Sequence, residues 1–297
     1  MPGHLSSSTD AAPGPVLACV GRAPWAGSQA RTAAGLARAL GLGLEFLHIT
    51  PDAQPTQSVR DAVLTQAPGA GFTAVTHAGG PDGVILAHAQ RRQASLIYAG
   101  AAPRESLVTD LIGSTARRLA RRARCSVLLD PARGREAERF DHALVLLSPG
   151  SVRPAGDEVT AMASALALGG CIGRLTYVLE HFDAVAAERL TDAPPGSGEG
   201  GFHDSPLRAE EAGLADVVAG ICPAGVPAEA RCVEGRDGSG AAALAGQSGA
   251  DLIIVRAPAR VGSLLARFVS DPLQPLLAEL PCAVLMVRGS TRGERAA

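Results

Sequence analysis

The chain has 297 residues, a formal net charge of −2, 46% hydrophobic residues and 19% charged residues. At about 150 residues per domain this length suggests two domains, with apolar material enough for a core in each. Aromatics at 3% argue against an aromatic-platform single-strand binder and a porin-like barrel. All 27 basic residues are arginine, which removes the lysine of a P-loop, a Schiff base or a protein kinase.

Residues 1–15 are rich in Ser, Pro and Gly, with no basic or apolar signal-peptide region, and read as a flexible tail. The apolar run 16–20 reads as a strand. Residues 28–40 carry Ala33, Leu36, Ala37 and Leu40 at helical spacing and stop at Gly41. Strands follow at 44–49 and 72–76, a helix at 83–92, and strands at 94–99 and 124–129. Continuous apolar strands alternating with helices are the mark of a parallel sheet buried on both faces.

The order then begins again. Residues 143–147 resemble the first strand, and 250–255 and 281–287 repeat the last two across a crossover of similar length. The expected fold class is therefore α/β, with two tandem five-stranded parallel-sheet domains of flavodoxin-like type. The expected organisation is a tail at 1–14, a domain at 15–130, a linker at 131–140, a second domain at 141–288 and a tail at 289–297. The second copy is longer because of a Pro- and Gly-rich loop at 191–205. Residues 1–137 sum to +5 and residues 138–297 to −7, a polarity that favours packing of the halves.

Six cysteines occur without a C-x-x-C pair or zinc-ligand spacing, so reduced thiols in a cytoplasmic protein are expected. The near-uncharged apolar run 161–173 is too short to span a bilayer. Histidines are scattered. His181 with Asp183 and His203 with Asp204 fall in a loop that would not hold catalytic geometry, Gly196-Ser197-Gly198 is no nucleophile elbow, and no enzyme is expected. Arg117, Arg118, Arg121, Arg122 and Arg124 read as a solvated helix face rather than a nucleic-acid site.

Residues 35–49 (GLARALGLGLEFLHI), Gly80-Pro81 before a helix, the run 94–100 and Cys125-Ser126-Val127-Leu128 resemble the universal stress protein family. The resemblance spans 15–130, more weakly 141–288, and implies a tandem form acting as a bacterial stress-response or regulatory module. It also implies a G-x2-G-x9-G-[ST] phosphate loop, in which glycine amides and a helix N-terminus meet the phosphates. Here Gly100 is followed by Pro103 in place of the second glycine, then by Gly113, Ser114 and Thr115. Proline offers no amide there. The family's ribose-binding Asp is replaced by Gly21.

The implied nucleotide site is thus Val20, Gly21, Ile49, Gly100, Pro103, Gly113, Ser114 and Thr115. Its ligand would be ATP, with Mg²⁺ on the phosphates. In the second copy Ser148 replaces the ribose Asp. Counting back from Cys282 puts Ala257, Arg260, Ser270 and Asp271 in the loop, whereas counting forward from the strand puts Arg256 first. That copy is expected not to bind ATP. The alternative function is an interaction or dimerisation protein of the same fold that binds no nucleotide. An intramolecular pseudo-dimer is expected, with a homodimer also open.

Overall fold

The computed structural model describes residues 13–21, 25–50, 56–100, 114–131, 138–147, 157–181, 204–258 and 282–289. The first five strands are β1 Val16–Val20, β2 Leu44–Thr50, β3 Gly71–Thr76, β4 Leu96–Gly100 and β5 Ser126–Asp130. The second five are β6 Phe140–Leu147, β7 Ile172–His181, β8 Ala228–Glu234, β9 Leu252–Arg256 and β10 Ala283–Val287. The helices are α1 Trp25–Leu40, α2 Gln57–Gln66, α3 Asp82–Arg91, α4 Ser114–Arg122, α5 Glu158–Leu168, α6 Asp204–Ile221 and α7 Ser239–Ser248.

All ten strands form one sheet in the order β3-β2-β1-β4-β5-β10-β9-β6-β7-β8. The two expected five-strand sets are present, each running 3-2-1-4-5 in its own numbering. They are not separate sheets. β5 pairs antiparallel with β10, with Leu129 opposite Val284 and Val127 opposite Met286, whereas every other pairing is parallel.

The continuous apolar strands are buried on both faces, as their composition requires. Under α1, α2, α5 and α6 lie Val16, Ala18, Phe46, Tyr98, Val145, Tyr177 and Ile254. Under α3, α4 and α7 lie Leu17, Leu47, Ile97, Leu144, Ile253 and Met286. Alternation of side chains along a strand delivers one set to each face. Ala26, Ala30, Ala33, Leu36 and Ala37 form the buried stripe of α1.

Gly41, at φ +64°, ends α1 where the sequence places its stop. The Leu42 amide donates to the Ala37 carbonyl at 2.9 Å and the Gly41 amide to the Arg38 carbonyl at 3.1 Å, a Schellman cap that glycine adopts without strain. The start of α1 differs: the helix begins at Trp25, ahead of the expected residue 28. No helix among the described residues is long and apolar enough to cross a membrane.

Candidate functional site

The strand order reverses between β1 and β4, whose crossover helices lie on opposite faces. In open α/β sheets the crevice outside the carboxyl ends of the strands at such a point is where ligands bind. Val20 ends β1 and Gly21 follows it, Ile49 lies near the end of β2, and Gly100 ends β4. The fold brings these four expected residues to one edge. Thr115 stands in the first turn of α4, half-buried, where helix amides carry partial positive charge. Ser114 opens that helix, while Pro103 and Gly113 lie outside the described residues.

On the α3 and α4 face the described residues at the strand ends are apolar. Cys19, Ile49, Ala99 and Ala116 are partly buried there against the core. Burial, reinforced by the nearby Cys125, pushes the Cys19 thiol up to about 12, so it stays protonated at neutral pH. The Cys125 thiol is likewise pushed up, to about 11, chiefly by burial. Cys19 and Cys125 are free thiols, and both serve packing. His48 is 3% exposed, with Nδ1 3.0 Å from the Val20 carbonyl. A carbonyl only accepts, so Nδ1 carries the proton and the ring fixes the end of β1.

On the α1 face, against Gly21 and Gly100, lies a residue the sequence reading missed. Gln29, in the second turn of α1, is 1% exposed. Its Oε1 accepts a hydrogen bond from the Gly21 amide at 2.8 Å. Its carboxamide lies over Gly100: a Cβ added at residue 100 would stand 2.6 Å from the Gln29 Cδ and 2.9 Å from its Cγ. The missing side chain at Gly100 is therefore required by Gln29, before any phosphate is considered. The sequence signal was present but ambiguous, because one polar residue on an alanine-rich helix face reads as a solvated position.

The same places in the second half are built differently. By the strand registers, Glu180 is the second half's equivalent of Ile49, and Arg256 that of Gly100. The forward count that put Arg256 first in the loop thus agrees with the strand positions. Arg260, Ser270, Asp271 and Ser148 lie outside the described residues. Glu180 is 9% exposed and accepts from the amides of Gly238 and Ala241, both at 2.9 Å, at the start of α7. A carboxylate on a helix N-terminus satisfies free amides and meets the positive end of the dipole.

Arg256 donates to Asp157 and, at 2.7 Å, to Glu158, at the start of α5. Among the described residues, the strand ends of the second half thus carry charged groups whose partners lie within the protein. Among the described residues no three His, Cys, Asp or Glu side chains converge as a metal site.

Residues 56–131 match the model of the Universal stress protein family. No curated protein matches the chain. Among solved structures the chain is similar to a protein from Pseudomonas aeruginosa assigned to the universal stress proteins, at 15% identity and TM-score 0.64, covering 93% of each chain. A functionally unknown protein from the same organism is similar at 15% identity and TM-score 0.64, covering 93% of this chain and 92% of that one. A universal stress protein from Archaeoglobus fulgidus is similar at 14% identity and TM-score 0.55, covering 94% of this chain and 97% of the other. At these identities the likeness is one of fold.

Proposed function

From a chain whose residues 56–131 fall in the universal stress protein family, we propose a tandem stress-response module that binds an adenine nucleotide in its first half only. The carrying observation is the contrast between the two crevices. In the first half an apolar wall of Cys19, Ile49, Ala99 and Ala116 stands beside the N-terminus of α4. An apolar wall suits a purine ring, and a helix N-terminus suits phosphates. In the second half Glu180 and Arg256 occupy the corresponding strand positions and are engaged internally. A purine there would face a carboxylate, and displacing it would strand two buried amides.

Mg²⁺, when bound with ATP, would ride on the phosphates. The module acts by binding in the cytoplasm rather than by catalysis. The second half serves as the partner that closes the β5 edge.

Thermal unfolding with and without Mg²⁺-ATP tests this reading. A ligand at one hundred times its dissociation constant adds about 2.7 kcal/mol to stability, so an upward shift of the midpoint is expected in the native chain. Ile49→Glu, which copies the second half's Glu180, should abolish the shift. No shift at millimolar ATP in the native protein overturns nucleotide binding and favours a module acting through its surface.

A further inference from the structure

Gln29 lies against Gly21 and Gly100 at the strand ends, and its amide donor is unused. Its Oε1 is engaged by the Gly21 amide. Its Nε2 is buried and makes no hydrogen bond. Native folds rarely leave a buried donor unpaired, and each case calls for an explanation.

Two acceptors at the same strand ends already take hydrogen bonds. The Val20 carbonyl faces His48 Nδ1 at 3.0 Å. Asp130, opposite Gly100 in the sheet, accepts from the Tyr98 hydroxyl at 3.0 Å. Gly100 stays bare beneath the carboxamide. Gly21, whose amide holds Oε1, fixes which end of the carboxamide presents nitrogen.

We infer that Gln29 is a ligand contact: Nε2 donates a hydrogen bond to an acceptor oxygen, of ribose or phosphate, on the nucleotide held at the ends of β1 and β4. This rests on the nucleotide reading above. The chemistry asks for an acceptor from the ligand, because the nitrogen is a donor only. It also ties recognition to the end of β1, since the same carboxamide holds the Gly21 amide.

The experiment is calorimetric titration of Mg²⁺-ATP, AMP and adenosine into the native chain, Gln29→Glu, Gln29→Leu and Ile49→Glu, with thermal midpoints recorded alongside. Gln29→Glu keeps an oxygen for the Gly21 amide and puts a carboxyl where the amide donor stood, Gln29→Leu removes the donor outright, and the thermal midpoints check that each variant stays folded. Both Gln29 variants should remain folded and bind at least tenfold more weakly.

An equal loss for all three ligands identifies a ribose oxygen, and a loss confined to the phosphorylated ligands identifies a phosphate oxygen. Either supports the contact. Binding within twofold of native in both Gln29 variants, while Ile49→Glu abolishes it, overturns the contact and leaves the nucleotide reading intact. Failure of the native chain to bind any of the three overturns both.

Discussion

Glu180 shows how much one side chain can decide. Its two oxygens hold the Gly238 and Ala241 amides from inside the protein, at the strand position where the first half has Ile49. A hydrogen bond to a charged group contributes roughly 1.5–3 kcal/mol, and an orphaned buried amide costs roughly 1–3 kcal/mol. Glu180→Ala should therefore lower stability by about 2–4 kcal/mol, read as a fall in the urea midpoint at unchanged slope. A loss below about 0.5 kcal/mol would mean that water replaces the carboxylate without cost. Ile49, Gly100 and Thr115 are proposed for the site through the family resemblance. Gln29 was not legible in the sequence, because its partner is a backbone amide at the end of a different element, and no periodicity reports that.

Between elements, the two halves meet where small residues permit it. Gly169 follows α5 with an ordinary backbone, at φ −76°. A Cβ there would stand 2.5 Å from the Ala39 Cβ and 2.7 Å from the Ala39 carbonyl oxygen of α1. Gly35, on α1, similarly takes the Glu138 backbone against its bare Cα, beside the Arg38–Glu138 ion pair at 2.9 Å.

Overpacking of this kind costs typically 1–3 kcal/mol. Gly169→Ala should destabilise by roughly 1–3 kcal/mol, against the gain of a few tenths to 1 kcal/mol that glycine-to-alanine normally brings at a compatible site. A rise in thermal midpoint would place the α1–α5 contact elsewhere. The glycine at 169 is plain in the sequence, whereas its opposing alanine is 130 residues away and appears only once the chain is folded.

Across the whole molecule, each half carries a buried polar cluster that titrates. Burial pushes the Glu45 carboxyl up, but hydrogen bonds from His88 at 2.8 Å and Arg92 at 2.5 Å outweigh it and hold the group below its ordinary value. In the other half, burial lowers His142, and the Arg174 guanidinium at 3.0 Å from Nδ1 lowers it further. Arg174 donates to Nδ1, so Nε2 carries the proton and donates to the Thr176 hydroxyl at 2.8 Å, which in turn donates to Glu229 at 2.9 Å.

Both groups have folded pKa values below their unfolded ones. Each therefore contributes stability that is complete above the unfolded pKa and is lost as the pH falls through the folded one. The unfolded references are about 6.5 for histidine and about 4.3 for glutamate. The urea midpoint should hold steady above neutrality, decline as the pH drops below about 6.5 and decline again below about 4.3. Arg174→Gln should soften the first decline, since it removes one cause of the lowered His142 value. A midpoint unchanged between pH 7.5 and 5 would contradict the buried neutral imidazole.

The sequence by itself determined the kind of fold. Uninterrupted apolar strands can be satisfied only between two helical layers, and their recurrence announced two five-strand sets. It also marked helix ends such as Gly41, where local backbone chemistry suffices.

Tertiary structure decided what the crevices hold and how the halves join. The antiparallel β5–β10 pairing makes one ten-stranded sheet of the two sets, because strand edges pair by hydrogen bonds that any sequence can supply. The fates of Gln29, Glu180 and Arg256 depend on backbone amides and carboxylates brought from distant segments, and only the folded chain puts a donor next to its acceptor or leaves it without one.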